Sequence, residues 1–285
     1  MNENSILSSP FRAGVTGKVI LVGAGPGDPE LLTLKALRYL QKAEVVLTDR
    51  LVSETILNEY VNEEAEIIYV GKQCRRGMST PQATINELMV QFAKEGKLVV
   101  RLKGGDVSIF SNILDELQTL AEHHIPYEIV PGVTAALGAA AYAGIPLTAR
   151  DYSTAVRLLT YYKSDVVSRE YWKELANTND TLVFYMSSET LAGVVENLVA
   201  NNISSDKFLG VVEQATTPLQ NVYTCNLYEY ETKLANKKFL SPSLVIIGKV
   251  VALHAEFKWL TDNSNGQEYF TSVANQRSYK KAVRA

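Results

Sequence analysis

The sequence predicts an α/β fold built as two α/β domains, and three observations carry that prediction. Short apolar strand-like runs alternate with helical periodicity through the first half. Glycine turns stand at the carboxyl ends of two of those runs, Gly23-Ala24-Gly25 and Gly104-Gly105. The alternation then resumes, with different spacing, after an uncharged stretch near the middle. Strands separated by helices require crossover connections, which favour parallel sheets with helices on both faces. At 285 residues the chain exceeds what one hydrophobic core usually organises, so two lobes are expected.

Taken in order, the first-half strands are "KVILVGAG", "AEVVLTD", "AEIIYVG", "KLVVRLKGGD" and "YEIVPG". Each is a short run rich in β-branched residues and bounded by turn formers. The helices between them are "PELLTLKALRYLQK", "SETILNEY", "PQATINELMVQFAKEG" and "ILDELQTLAEHH", where apolar residues recur at three- and four-residue spacing. In the second half, "AVRLLTYY", "DTLVFYM", "KFLGVVEQ", "NVYTCNL" and "SLVIIGKVV" read as strands, with helices at "SREYWKELANT" and "ETLAGVVENLVANN". The expected division is an N-terminal tail (1–17), a first α/β domain (18–132), a second (133–256) and a polar, loosely held tail (257–285). Residues 129–147 carry no charge over a span long enough for a bilayer. Their Ala and Gly content and the bracketing Pro131 and Pro146 instead predict a strand end, a turn and a small-residue helix packed closely between the lobes.

Composition narrows the classes of function. A net charge of −3 gives no overall attraction to nucleic acid or anionic membrane, so a polyanionic partner must be held by a local basic cluster. Cys74, Cys225 and the three histidines show no ligand spacing, so no metal site is expected. No signal-peptide pattern opens the chain, and a cytoplasmic, reduced protein is the expectation.

The opening loop, "VGAGPGDPELL", has the strand, glycine turn and helix of a dinucleotide site but lacks its third glycine, because Asp28 stands there. Asp28 followed by Pro29 is an N-cap followed by the preferred first helical residue, and Glu30 adds acid where the helix dipole favours it. A phosphate would meet like charge at that end. The turn is therefore either a simple tight connection or a backbone platform for a ligand without phosphate, such as the adenosine derivative S-adenosylmethionine (SAM). Gly104-Gly105-Asp106 supplies a second such turn, with Asp106 either capping the next helix or accepting from a ribose hydroxyl. Asp49, ending its strand, would hold the adenosine ribose on a dinucleotide reading and is otherwise a carboxylate open to chemistry, which the absent third glycine favours, or a helix cap or a partner for Arg50.

The pieces "VGAGPGDPELLTLKALRYL", "TDRLVS", "VGK", "STPQATINELM", "RLKGGD", "PYEIVPGVTAA", "AGIPLT", "DTLVFYM" and "SLVIIGKVVAL", in this order, resemble the uroporphyrinogen-III C-methyltransferase family of tetrapyrrole methylases. The resemblance implies two α/β domains of the tetrapyrrole methylase type with SAM in the cleft between them, leaving as S-adenosylhomocysteine, and a homodimer. It implies two methyl transfers to uroporphyrinogen III, giving precorrin-2 for sirohaem or corrinoid synthesis. The implied cofactor contacts fall on Pro26, Gly104, Gly105, Asp106, Ile109, Thr134, Ala135, Met186 and Ala215, and the proton-handling pair on Asp49 and Lys72. The substrate's eight carboxylates need cations, for which Arg50, Lys103 and Arg150 are the candidates, with Arg75 and Arg76 either joining them or forming a solvated loop pair.

The sequence departs from the family pattern in four places. "VSIFSNILDEL" follows "RLKGGD" where Pro, aromatics and a Gly-Arg-Gly turn are usual, Ala215 replaces a glycine, "LTYYKSD" replaces Thr-Gly-His, and the "GKQCRRGMSTPQ" loop is longer. The short segment before the first strand predicts a methylase standing alone, without a dehydrogenase and chelatase domain. Competing readings are a methylase of a later corrinoid precursor or of a protein or RNA target, an NAD-dependent oxidoreductase, and a non-catalytic sensor of SAM or tetrapyrrole. Replacing Arg50 or Arg150 with Ala is expected to raise KM for the tetrapyrrole and leave SAM affinity unchanged; unaltered kinetics would remove that residue from the site.

Overall fold

The computed structural model describes residues 16–70, 72–73, 78–162, 167–263, 266–270 and 279–280. Its first sheet is formed by β1 (Lys18–Gly23), β2 (Val45–Thr48), β3 (Glu66–Tyr69), β6 (Leu98–Lys103), β7 (Tyr127–Val130) and β13 (Tyr279–Lys280), in the order β13-β3-β2-β6-β1-β7. All pairings are parallel except β13 against β3. Side chains alternate across the pleat of β1. Ile20 and Val22 join a cluster with Ala36 and Leu40 of α1 (Leu34–Leu40), while Val19 and Leu21 join one with Ile85 and Met89 of α2 (Gln82–Lys94) and Leu120 of α3 (Ile113–Glu122). A parallel sheet covered on both faces has the near-continuous apolar strands predicted.

The second sheet comprises β8 (Val156–Thr160), β9 (Thr181–Tyr185), β10 (Phe208–Glu213), β11 (Asn221–Asn226) and β12 (Ser243–Gly248), in the order β11-β10-β12-β9-β8. It does not repeat the first. Only β8 and β9 run parallel, and the other three pairings are antiparallel. "SLVIIG" lies at the centre, buried on both faces between α4 (Ala135–Tyr142) on one side and α5 (Arg169–Asn177) and α6 (Leu191–Ala200) on the other.

Local corrections follow from capping and from the tail. Asp28 caps only a single 3-10 turn, Pro29–Leu31, and Thr33 makes a separate cap for α1 by accepting from the Ala36 amide. "SETILNEY" closes as a π-type turn, Ile56–Tyr60. Lys72–Gln73 and Met78–Ser79 pair as a small hairpin, β4 and β5, where a loop is expected. The tail is not loosely held in its described part: Phe270 is buried, and β13 extends the first sheet.

The uncharged stretch is β7, a turn and α4, as its small residues predict. Among the described residues no helix is long and apolar enough to cross a membrane. Gly138 of α4 leaves room for the other half of the molecule, since a Cβ there would stand 2.5 Å from Pro26 Cγ and 2.9 Å from Thr216 Cγ2. Gly23 and Gly132 are equally constrained. A Cβ on Gly132 would lie 2.4 Å from the Gly105 carbonyl, and one on Gly23 would lie 2.6 Å from the same oxygen. Gly132→Ala is therefore expected to lower stability by about 1–3 kcal/mol in urea unfolding.

Candidate active site

The carboxyl ends of β1, β2, β6 and β7 meet at one crevice, where open α/β sheets bind ligands. Its floor is backbone. Gly25 and Gly105 exchange two hydrogen bonds, Gly25 N to Gly105 O at 3.1 Å and Gly105 N to Gly25 O at 2.7 Å, so the two glycine turns form one unit. Asp106 fastens that unit to β7: Oδ2 accepts from the Gly132 amide at 2.9 Å and Oδ1 from the Ser108 amide at 2.8 Å and the Ser108 hydroxyl. Both carboxylate oxygens are engaged within the protein, but Asp106 does not cap the next helix, whose N-cap is Asn112; it fixes the turn instead.

The opening loop has few amides to offer a phosphate. Ala24 N donates to Lys103 O, Asp28 N to Thr216 Oγ1 and Glu30 N to Asp28 Oδ1. Asp28 Oδ2 accepts from Tyr142 of α4 at 2.6 Å. Burial and that bond to Asp28 push the Tyr142 hydroxyl up to about 12. The residue that replaces the third glycine thus ties the loop to the second half of the molecule.

Across the crevice, β9 presents Tyr185. Its hydroxyl shares a 2.7 Å hydrogen bond with Thr134 Oγ1 and accepts from the Ala136 amide at 3.0 Å, capping α4 where Thr134's own side chain does not. Burial raises the Tyr185 pKa. The Phe110 ring packs on it at 5.0 Å between centroids. Met186 follows, half exposed, with Tyr162 Oη donating to its sulfur at 3.1 Å. Phe110, Asn112, Met186, Gln214 and Thr216 all hold left-handed backbone (φ +49° to +66°), five of the eight such non-glycine residues among those described. Strain of this kind persists where surrounding structure fixes a functional shape. Ala215, in place of a glycine, is not among them, so the substitution needs no strained backbone.

Beneath Asp49 lies a buried charge network. Arg101 Nε donates to Glu116 Oε1 at 3.0 Å, Lys103 Nζ to Glu116 Oε2 at 2.8 Å, and Arg101 Nη2 to Asp49 Oδ1 at 2.6 Å. Nη1 reaches the Leu47 and Leu102 carbonyls. The pleat explains the convergence. Arg101 and Lys103 continue the Val99 face of β6, Asp49 continues the Val45 and Leu47 face of β2, and Glu116 comes down from α3. Burial opposes the Arg101 charge, but Asp49 and Glu116 outweigh it and hold its pKa above the ordinary value. For Lys103 burial wins, helped by the neighbouring guanidinium, and its pKa is lowered. The Asp49 side chain keeps 27% of its surface exposed, so its carboxylate is both oriented and accessible.

Of the expected residues, Gly104, Gly105 and Asp106 lie on the turn paired with the opening loop of Pro26, Thr134 and Ala135 begin α4, Ile109 and Met186 adjoin Phe110 and Tyr185, Ala215 adjoins Gly27, and Asp49 follows β2. Arg50 is half buried beside Asp49 and Arg150 is exposed. Lys103 is corrected: at 3% exposure, with its ammonium on Glu116, it does not face a substrate. Lys72 has its backbone in β4, but its side chain, like Arg75 and Arg76, lies outside the described residues.

A family model described as tetrapyrrole (corrin/porphyrin) methylases matches residues 18–231. The chain belongs to that family. Among solved tetrapyrrole methylases, a uroporphyrin-III C-methyltransferase from Thermus thermophilus is similar at 35% identity and a TM-score of 0.70, over 85% of this chain and 97% of that one. A Thermus structure complexed with S-adenyl homocysteine matches at the same identity and TM-score, over 83% of this chain and 100% of that one. A cobalt precorrin-4 methyltransferase matches at 29% identity and a TM-score of 0.73, over 82% of this chain and 95% of that one. Siroheme synthases are similar too: that of Vesicomyosocius okutanii is 46% identical over 85% of this chain and 52% of its own length, and that of Nitrosomonas europaea 45% identical over 87% and 52%. The chain spans about half the length of these curated relatives.

Sequence reasoning missed Arg101, Glu116, Tyr142 and Tyr185. A signal for Arg101 was present: it stands two residues before Lys103, and the two charges interrupt an otherwise apolar central strand. Glu116→Gln is expected to cost about 3–5 kcal/mol in urea unfolding, because it strands buried cations. Lys103→Met should cost less, since the Arg101–Glu116 pair survives; equal losses would mean the cations do not share that carboxylate.

Proposed function

We propose that this chain is a SAM-dependent C-methyltransferase that adds two methyl groups to uroporphyrinogen III, giving precorrin-2, and that it works in the cytoplasm as a homodimer. The observation that carries the reading is a crevice with a backbone floor and an accessible carboxylate, Asp49, fixed by a buried arginine. Exposed Tyr127 and Ile129 on the uncovered edge strand β7 support a contact with a second copy.

The crevice fits an adenosine-type donor better than a dinucleotide. Its glycine amides are paired with each other, and a Cβ on Gly105 would meet only the Ala135 amide, at 3.8 Å, so that side of the turn is open to a closely approaching ligand. Pro26, the Gly104–Asp106 turn, Ile109, Thr134, Ala135, Met186 and Ala215 would hold it. When bound, SAM supplies an activated methyl group. The rings of Phe110 and Tyr185 offer the negative π faces that a sulfonium cation favours.

The chain's own residues then have modest chemistry to perform. Alignment of an activated donor with an electron-rich pyrrole carbon supplies roughly 7–11 kcal/mol of the barrier. Methylation leaves the ring cationic, and Asp49 Oδ2, the oxygen that Arg101 does not hold, takes the proton the ring loses. Lys72 would return a proton or bind a substrate carboxylate, and Arg50 and Arg150 would bind others.

Anaerobic incubation with SAM and uroporphyrinogen III, followed by mass, tests this reading. The expected product carries two added methyl groups, and Asp49→Ala should lose at least a hundredfold in rate while still binding S-adenosylhomocysteine. Binding without transfer would favour the sensor reading or another tetrapyrrole.

A further inference from the structure

The polar tail beyond Trp259 makes a sequence of specific contacts from one half of the molecule to the other. Trp259 Nε1 donates to the Ala141 carbonyl of α4 at 2.9 Å, and its ring packs on Tyr142. Asp262 then accepts from the Val222 amide at the edge strand β11, and Asn263 donates from its amide to Gln220 O and from its side chain to Pro218 O. Further on, the tail meets Gln214 at both ends of its amide. Gln214 Nε2 donates to Gln267 O at 2.9 Å and Gln214 Oε1 accepts from the Tyr269 amide at 2.6 Å. Tyr269 finally shares a 2.9 Å hydrogen bond with the buried hydroxyl of Ser53.

Two of these partners point to a built contact. Gln214 is fully buried, holds left-handed backbone and has its side-chain amide reading the tail backbone in register, an arrangement that chance packing of a polar tail does not produce. Ser53 is 1% exposed and lies four residues after Asp49 on the loop that also carries Arg50. Tyr269 therefore bridges the Asp49–Arg50 loop of the first sheet and the Gln214–Thr217 loop of the second. The latter already touches the opening glycine turn through Thr216 and Asp28. The first loop packs on the Gly104 turn through Leu51, and the second on the Gly27–Asp28 turn through Ala215 and Thr216.

We propose that residues 259–263 and 266–270 form a strap across the crevice rim and that Tyr269 is a positioning residue, acting through Ser53 on the loop that carries Asp49. Buried Phe270 anchors the strap beside it. The ring of Tyr269, edge-on to Phe270 at 5.1 Å, holds the hydroxyl in place for Ser53. This inference rests on methyl transfer at the crevice only for its kinetic consequence. Its structural content, that the strap orders the Asp49–Ser53 loop, stands independently.

The test compares Tyr269→Phe, Ser53→Ala and the double variant in the full chain. Hydrogen exchange across residues 49–57 needs no substrate and should quicken in each single variant, while the melting temperature stays close to that of the parent. In turnover assays kcat should fall roughly three- to tenfold in each single variant, as loss of one hydrogen bond allows. S-adenosylhomocysteine affinity should hold, because the Tyr269 amide still binds Gln214. The double variant should be no worse than either single, since both remove the same bond. Unchanged exchange in residues 49–57, or losses that add in the double variant, would overturn the strap's role. If the parent protein neither binds S-adenosylhomocysteine nor transfers methyl groups, the functional reading fails, while the exchange experiment still decides the inference about Tyr269.

Discussion

Three backbones approach so closely at the head of the first sheet that no side chain fits between them. Gly23, Gly105 and Gly132 occupy that junction, and a Cβ on Gly23 or Gly132 would overlap the Gly105 carbonyl. Much else follows from this contact. It lets the Gly25 and Gly105 turns pair and brings the Asp106 carboxylate to the Gly132 amide. It also sets where α4 starts, and so where Gly138 meets Pro26 and Thr216. The crevice is the space left above a junction made of main chain, which is why its floor consists of turns and its functional groups stand at the rim.

Charge is arranged on the opposite principle. A buried carboxylate, Glu116, holds two cations, and one of these passes the constraint on to Asp49. Burying such a cluster is costly unless every member is hydrogen-bonded, and the Leu47 and Leu102 carbonyls complete the set for Arg101. Its benefit is to the aim of Asp49, since a carboxylate at a strand end would otherwise rotate freely in solvent. The segment "VSIFSNILDEL", where the sequence departs from the family pattern, carries Glu116, the residue on which the network turns.

The molecule's two halves are joined by unlike means. Asp28 with Tyr142 and Thr216 ties the opening loop to α4 and the second sheet. Tyr185 caps α4 from the second sheet, and the tail closes the far side through Gln214, Tyr269 and Ser53. Several of these contacts use tyrosine hydroxyls, which reach across a gap on a rigid ring and lose little conformational freedom in doing so. A cleft bounded in this way keeps its shape while its floor remains open.

By itself, the sequence determined the first sheet, the small-residue helix and the identity of the opening loop. Periodicity reports which faces are buried, and Asp28 puts a carboxylate where a dinucleotide loop has its third glycine. Asp49 and the Gly104–Asp106 turn were legible because they end strongly patterned strands. Only the tertiary structure decided the rest. Antiparallel pairing in the second sheet leaves no periodic trace that separates it from a parallel one. The burial of Lys103 depends on Glu116 arriving from another element, and a cation at a strand end reads the same on paper whether it faces solvent or a carboxylate. The tail's polarity suggested looseness, yet among its described residues Asp262, Asn263, Gln267 and Tyr269 are paired with Val222, Gln220, Gln214 and Ser53. Hydrogen-bond partners distant in sequence exist only once the chain has folded.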